Sequence, residues 1–319
     1  MKISVLGCGR WGTFIAWYLD MIGHEVSLFG RSGSKNLQEL KLNHKNSYLT
    51  IRDSITLTSD LEFSIYRSEI IIISISCQNL RNFMEQFINF DLKNKIIVLC
   101  MKGLEENTGK RLSEIVEEFI KKETKVAVWV GPGHVQSLVN GVPNCMVIDS
   151  KDEDVKSLLV NRFTSNLIRF YYGTDLIGSE IGAAAKNVLG IAAGVLDGLN
   201  LEPLKGALMT RGALEISRLI KAMGGDPLSA YGLCHLGDYQ ATFFSENSNN
   251  LQFGKSLITG KKYTKLSEGV CTSRALALLS EIYKVDLPIC KTVKNLIEND
   301  INIAKCMSDL FMRDLKKEF

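Results

Sequence analysis

A glycine-rich turn near the start of the chain carries the first chemistry. Gly7-Cys8-Gly9-Arg10-Trp11-Gly12 has the spacing G-x-G-x-x-G, directly after a β-prone run at residues 2–6 and ahead of a helical pattern. In that context the first glycine allows a tight turn, the second lets a pyrophosphate approach the backbone, and the third lets helix and strand pack closely. The pyrophosphate would sit at the helix N-terminus, where unpaired N–H groups and the helix dipole favour negative charge. Alone the motif is weak, but a strand, a helix and a second strand at the right spacing make Gly7, Gly9 and Gly12 a dinucleotide site. The second strand ends Leu28-Phe29-Gly30-Arg31-Ser32, without the acid that an NAD-selective site places against the ribose 2′-hydroxyl. Arg31 can pair with a 2′-phosphate instead, which favours NADP(H), or use of both cofactors, over strict NAD(H). The chemistry implied is hydride transfer, as in a nicotinamide-dependent oxidoreductase.

The elements that must hold this site follow from hydrophobic periodicity. Residues 11–22 place Phe14, Ile15, Tyr18 and Leu19 on one helical face. Strand-like runs are expected at 25–29, 70–75, 96–99, 126–130, 145–148 and 167–172, with helical patterns at 80–90 and 111–120 between them. Unbroken apolar strands alternating with helices predict a mostly parallel, doubly wound sheet covered on both faces. After about Gly173 the strand-like runs cease, and residues 177–199, 205–223, 267–283 and 289–316 all read as helices. The expected organisation is an α/β Rossmann domain over residues 1–173 and an all-α domain over residues 174–319. The polar stretch at residues 245–250 reads as a loop.

Composition narrows the partners. A chain of 319 residues can bury a sizeable core without disulfides or structural metal. Its net charge of +3 and its short basic pairs give no footprint for nucleic acid or a membrane surface. The eight cysteines are scattered without a C-x-x-C pair, so no metal site is expected and reduced thiols in the cytoplasm are. The first residues are cut by Gly7 and Gly9 too early for a signal peptide. The longest apolar stretch, residues 177–199, contains Glu180, Lys186, Asn187 and Asp197, which argues for a buried helix and against membrane insertion.

Several further motifs occur in a fixed order. They are Met101-Lys102-Gly103-Leu104-Glu105, Val130-Gly131-Pro132 and Ile181-Gly182-Ala183-Ala184-Ala185-Lys186-Asn187-Val188. Then come Thr210-Arg211-Gly212, Gly232-Leu233, Leu236-Gly237-Asp238, Thr242 and Asn250 with Phe253-Gly254. Together with G-C-G-R-W-G-T they resemble the NAD(P)-dependent sn-glycerol-3-phosphate dehydrogenases, from residue 3 to about residue 270. The resemblance implies a Rossmann domain followed by a helical domain, with the site between them. It implies reversible hydride transfer between the nicotinamide and C2 of glycerol 3-phosphate or dihydroxyacetone phosphate. It further implies a cytoplasmic homodimer whose product feeds phospholipid synthesis. By position, Lys186 corresponds to the proton acceptor, with Lys102 and Asp238 beside it as catalytic candidates. Lys102, Gly131, Lys186, Asn187, Asp238, Thr242, Ser248, Asn249 and Asn250 would surround the phosphorylated substrate. Arg10, Trp11, Arg31, Lys102, Val135 and Glu268 would join the glycine turn at the cofactor.

The chemistry also stands without the resemblance. Oxidising a secondary alcohol needs a hydride acceptor and a base. A free lysine titrates near about 10.4, and burial with neighbouring cations brings it to about 7–8 for catalysis. The small residues around Lys186 (Gly182 to Ala185, Gly190, Ala192 to Gly194) allow backbone and cofactor to pack close and exclude water. Asp238, in a turn, is placed to orient Lys186 or a substrate hydroxyl. His134 and His235 receive no catalytic role, and His235 reads as a loop residue.

Two positions depart from the family pattern. Gly133 stands where Gly-Pro-Ser is usual, and Asn249 where Ser-Arg-Asn is usual. A charged hydrogen bond is worth about 1.5–3 kcal/mol, so losing the Arg weakens phosphate binding without abolishing it. Either another cation, such as Lys255, takes the phosphate, or the substrate is a different small hydroxy compound. The first is preferred because Lys102, Lys186, Asn187, Asp238, Thr242 and Asn250 remain. A non-catalytic nucleotide-binding sensor or scaffold is the alternative from another class, and intact Lys186 and Asp238 argue against it.

Overall fold

The strands come first because β-branched and aliphatic runs stand between turn signals. In the computed structural model, which describes residues 1–298 with Cys306, Met312 and Glu318, the first part of the chain alternates strand and helix. The order is β1 (Lys2–Leu6), α1 (Arg10–Met21), β2 (Glu25–Phe29), α2 (Lys35–Asn43), β3 (Thr56–Thr58), α3 (Leu61–Tyr66) and β4 (Ile70–Ile73). There follow α4 (Leu80–Glu85), β5 (Ile96–Leu99), α5 (Leu112–Glu117), β6 (Lys125–Val130), α6 (Val135–Val139), β7 (Asn144–Ser150), α7 (Glu153–Phe163) and β8 (Ile168–Tyr172). The remaining described elements are helical: α8 (Leu176–Gly198), α9 (Lys205–Ala222), α10 (Tyr239–Phe243), α11 (Asn249–Thr259), α12 (Glu268–Ile282) and α13 (Pro288–Glu298), with short 3₁₀ turns between them.

The strands form one sheet in the order β3-β2-β1-β4-β5-β6-β7-β8. All neighbours pair in parallel except β6 with β7, where the ladder turns antiparallel. Alternation along each strand divides the core between the two faces. Ile3, Val5, Ile70 and Ile72 pack with α1 on one side, while Leu6, Ile71 and Ile73 pack with α4 and α5 on the other. The strand order reverses between β1 and β4, where open sheets of this kind bind ligands outside the carboxyl ends of their strands.

α8 runs through the middle of the helical part and is buried on nearly every side from Gly178 to Leu196. Two glycines let α11 lie almost backbone to backbone against it. A Cβ on Gly194 would stand 2.0 Å from the Leu251 carbonyl oxygen, and one on Gly254 would stand 2.0 Å from that of Ile191. This contact fixes the height of Asn250 along α8.

The sequence reading needs correction at several elements. β3 is a three-residue edge strand too short to show a pattern, and α2, α3, α6 and α7 occupy segments where no helix is expected. The polar stretch 245–250 is not all loop: Ser248 caps α11 by accepting from Leu251 N at 3.3 Å, so Asn249 and Asn250 form its first turn. Polar residues in a capped first turn imitate loop composition. The helix expected over 289–316 is seen as α13 up to Glu298, and its later part, apart from Cys306 and Met312, lies outside the described residues. All eight cysteines are free thiols. Among the described residues no helix is long and apolar enough to cross a membrane.

Candidate active site

The turn after β1 is built for close approach. Gly7 has φ +122°, and a Cβ there would stand 2.1 Å from the Ser74 carbonyl oxygen at the end of β4. A Cβ on Gly12 would stand 1.8 Å from the Gly7 oxygen, so helix and turn touch only because both are glycine. Gly9, by contrast, faces open space, with nothing within 4 Å of a Cβ. α1 starts there with no side-chain cap and no acid in its first turn. Its first N–H groups are left for an anion. These residues fit a dinucleotide pyrophosphate. Trp11 stacks on Phe14 with ring centres 5.1 Å apart, and Arg10 bonds the side chain of Gln136 in α6.

A cavity of about 320 Å³ opens between this turn and the helices α8, α10, α11 and α12. Three cations, Arg10, Lys102 and Lys186, line it, with Glu268 as the acidic member of the lining. Glu268 is already engaged, accepting from the Cys77 thiol at 2.7 Å. The cavity therefore favours an anionic ligand.

Lys186 enters from α8, Lys102 from the loop after β5, and Asp238 from a 3₁₀ turn (Leu236–Asp238) ahead of α10. Asp238 is buried behind the two lysines. Its Oδ2 lies 2.6 Å from Lys102 Nζ and 3.2 Å from Lys186 Nζ. Lys102 also donates to the Gly131 carbonyl at 2.5 Å. Lys186 donates to Thr242 Oγ1 at 2.8 Å, and Thr242 in turn donates to the Asp238 carbonyl at 2.8 Å. Burial pushes the Lys186 amine down to about 8, with Asp238 opposing the shift and the Lys102 cation adding to it. Burial, then the Arg10 cation, also lowers His134, which lines the same cavity.

A chain of amides fixes the far wall. Asn187 Nδ2 donates to the Lys102 carbonyl at 2.9 Å, and Asn250 Nδ2 donates to Asn187 Oδ1 at 3.0 Å. Asn250 Oδ1 accepts from Ser267 Oγ at 2.7 Å and from Gly269 N at 3.0 Å. Both amides are thereby held in one orientation. The arrangement needs α11 close to α8, which the Gly194 and Gly254 contacts provide.

Of the residues expected from the sequence, Arg10, Trp11, Lys102, Val135, Lys186, Asn187, Thr242, Ser248, Asn249, Asn250 and Glu268 line the cavity. Gly7, Gly9 and Gly12 form the turn at one end, and Gly131 and Asp238 lie behind Lys102. Arg31 is exposed beyond β2 and is not part of the lining. Lys255 does not line the cavity either, so the expectation that it replaces the family Arg finds no support in the geometry. Asn249 stands at the mouth, exposed, and accepts from the Tyr263 hydroxyl at 2.8 Å. At Gly133 a Cβ would meet Trp11 Cη2 at 2.6 Å and Met146 Cε at 2.9 Å, so the Trp11 ring fills the space a serine would use. His235 lies in the turn ahead of Leu236–Asp238, outside helix and strand as expected, but it is not exposed. It is completely buried between α8 and Tyr239.

Sequence reasoning missed Ser74, Ile75, Cys100 and Met101, which also line the cavity. Their signal was position: each follows a strand whose carboxyl end faces the switch point.

The comparisons with known proteins point to one family. The family model for the NAD-dependent glycerol-3-phosphate dehydrogenase N-terminus matches residues 2–156, and that for the C-terminus matches residues 175–308. A glycerol-3-phosphate dehydrogenase [NAD(P)+] of Thermoanaerobacter sp. is 34% identical over 328 residues, covering 100% of this chain and 99% of its own. One from Staphylococcus aureus is 32% identical over 331 residues, covering 99% of each chain. The crystal structure of glycerol-3-phosphate dehydrogenase from Coxiella burnetii superposes with a TM-score of 0.91 at 25% identity, over 98% of this chain and 99% of that one.

Proposed function

The chain belongs to the NAD-dependent glycerol-3-phosphate dehydrogenase family, and from that premise we propose that it interconverts sn-glycerol 3-phosphate and dihydroxyacetone phosphate by hydride transfer at C2. The observation that carries this reading is the position of Lys186 on the cavity wall, hydrogen-bonded to Thr242 at 2.8 Å and ion-paired with Asp238 at 3.2 Å.

The surroundings of Lys186 support its reading as the base. A backbone carbonyl only accepts, so the Thr242 hydroxyl gives its single hydrogen to the Asp238 carbonyl and must accept from Lys186. The Asp238 carboxylate also only accepts. A neutral amine has two N–H groups and one lone pair. Thr242 takes one hydrogen of that amine, Asp238 Oδ2 stands 3.2 Å away as its ion-pair partner, and the lone pair would serve the C2 hydroxyl. Once the amine has taken that proton, Asp238 stabilises the ammonium. A value of about 8 keeps both forms accessible near neutral pH.

NAD(P), when bound, supplies the hydride acceptor. The turn at Gly7, Gly9 and Gly12 would hold its pyrophosphate, with Arg10, Trp11, Val135 and Glu268 alongside and Arg31 at the ribose end. Lys102 holds Asp238 and Gly131 with two of its hydrogens and keeps the third for a substrate oxygen. Asn187 and Asn250, each fixed by its neighbours, present the remaining polar edge. The same reading divides the chain into a cofactor domain, residues 1–173, and a catalytic domain, residues 174–319. The end of β8 at Tyr172 and the start of α8 at Leu176 support that division. It carries with it a cytoplasmic homodimer whose product enters phospholipid synthesis.

Gly133 and Asn249 favour a second reading, a sister dehydrogenase acting on another small hydroxy compound or phosphorylated polyol. One assay separates the two. Purified protein is mixed with NADPH and dihydroxyacetone phosphate, and nicotinamide absorbance is followed. Turnover on the order of 10 per second is expected. Cofactor binding without turnover, together with activity on a different carbonyl compound, would select the sister reading.

A further inference from the structure

His235 is a buried titratable group beside Asp238 that the mechanism leaves unused. It is fully buried, and its Nδ1 lies 2.8 Å from the carbonyl oxygen of Gly182 in α8. A carbonyl can only accept, so Nδ1 carries the hydrogen. Nε2 is then an acceptor, and the Tyr239 hydroxyl donates to it at 2.7 Å. Burial holds the imidazole down at about 4, so the ring stays neutral in this single tautomer.

The two ends of this latch have particular addresses. Gly182 precedes Lys186 by four residues, one turn of α8. His235 and Tyr239 flank Asp238 on its two sides, His235 as the cap of the 3₁₀ turn and Tyr239 as the first residue of α10. The His235 carbonyl also accepts from Asp238 N at 3.0 Å. Tyr239 is pinned by stacking on Phe243, ring centres 4.4 Å apart. A Cβ on Gly182 would come within 3.0 Å of His235 Cβ, so the turn reaches this depth because that position is glycine.

We propose that His235 is a positioning residue for the reaction: by tying the turn that bears Asp238 to the helix that bears Lys186, it sets the distance between the carboxylate and the base. The inference rests on the reading of Lys186 as the base. The charged groups facing Lys186 are Asp238 and Lys102, with His134 across the cavity. Release of the latch lets Asp238 settle on Lys102 and leaves Lys186 with less support for its ammonium form.

The test compares His235→Leu, His235→Asn and Tyr239→Phe. The Asn amide places an N–H close to the position of Nδ1 and keeps the bond to Gly182. His235→Leu is expected to lower kcat about tenfold, with KM values within about threefold, and to move the pH limb of alcohol oxidation to lower pH. His235→Asn is expected to recover most of kcat and the wild-type limb. A second readout needs no turnover: the rate at which an amine-acylating reagent modifies Lys186, followed by mass spectrometry across pH, shifts the same way. Should His235→Leu fail to fold, Tyr239→Phe carries the test with a smaller shift of the same sign. A His235→Leu protein, or in its place Tyr239→Phe, with a lower melting temperature but wild-type kcat and pH limb would overturn the proposal, as would an Asn variant no better than Leu. Lys186→Ala separates this from failure of the underlying reading. Full activity in that variant removes the base and the latch together, whereas loss of turnover beside an unmoved His235→Leu profile removes only the latch.

Discussion

Lys186 and Thr242 are joined by a 2.8 Å hydrogen bond whose direction is fixed, because the Thr242 hydrogen is already spent on the Asp238 carbonyl. Thr242 is thus an acceptor that aims the amine. Replacing it with Val keeps the volume and removes the acceptor. A buried N–H left unpaired costs about 1–3 kcal/mol. Thr242→Val is expected to lower kcat by about 10- to 100-fold, with little change in cofactor affinity. Thr242→Ser is expected to stay within a few fold of wild type. Steady-state kinetics with both variants checks this; equal losses in the two would show that the methyl group matters and the hydroxyl does not.

A pH dependence follows from the same amine. Alcohol oxidation needs Lys186 neutral, and below about 8 it is an ammonium with no lone pair. Oxidation turnover is therefore expected to rise with pH through about 8 and then level off. Ketone reduction needs the ammonium as proton donor, so it is expected to be level below about 8 and to fall above it. Profiles of kcat in both directions test the sign. If both rise together, Lys186 is not the exchanging group.

The turn at Gly7 and Gly12, and the polar pair Lys186 and Asn187 inside an apolar run, were legible because local spacing encodes them. The sheet was legible for the same reason, since four consecutive isoleucines at Ile70–Ile73 suit a strand buried on both faces. His235 was not legible. Its partners Gly182 and Tyr239 lie 53 residues before it and 4 after it, and only the packed fold joins the three. Asn250 was legible as a site residue but not as part of a helix, because its turn is capped by polar Ser248 and its burial comes from α8. Asn249, one position earlier, faces outward on the same turn and shows how little one residue of sequence says about direction.

Asn249 offers the next test. It stands at the cavity mouth, exposed and held by Tyr263. Asn249→Arg adds a cation where an anionic substrate must enter. A charge-assisted bond of about 1.5–3 kcal/mol corresponds to about 10- to 150-fold in affinity. The variant is expected to lower KM for dihydroxyacetone phosphate at least tenfold with kcat nearly unchanged, while KM for unphosphorylated dihydroxyacetone does not move. An unchanged KM for the phosphate ester would mean that the phosphate lies elsewhere.

Gly133 and Trp11 form a tightly packed pair. A serine at 133 must push the Trp11 ring aside, since its Cβ alone would stand 2.6 Å from Cη2. Overpacking of this kind costs about 1–3 kcal/mol, and the displaced ring borders the proposed cofactor turn. Gly133→Ser is expected to lower the melting temperature by a few degrees and to weaken NADPH binding at least fivefold, read by titration of tryptophan fluorescence. Unaltered binding would show that the Trp11 ring has room to move without touching the cofactor.

Of the two glycines that bring α8 and α11 together, Gly254 can be tested by a single methyl group. Gly254 lets α11 rest on α8, and a methyl group there would stand 2.0 Å from the Ile191 carbonyl oxygen, a backbone atom in a buried helix that cannot swing away. Gly254→Ala must therefore shift α11 as a body. Asn250 sits on the first turn of that helix, four residues earlier and on the same face, and its 3.0 Å bond to Asn187 has no slack. Asn187 in turn bonds the Lys102 carbonyl at 2.9 Å, so the displacement reaches the lysine that holds Asp238. The variant is expected to lose at least about 1–3 kcal/mol of stability and, in the folded fraction, to raise substrate KM about tenfold while NADPH affinity holds. Chemical denaturation and KM measured on the same preparation check both halves. A stability loss with normal KM would mean that the amide chain follows α8 and not α11.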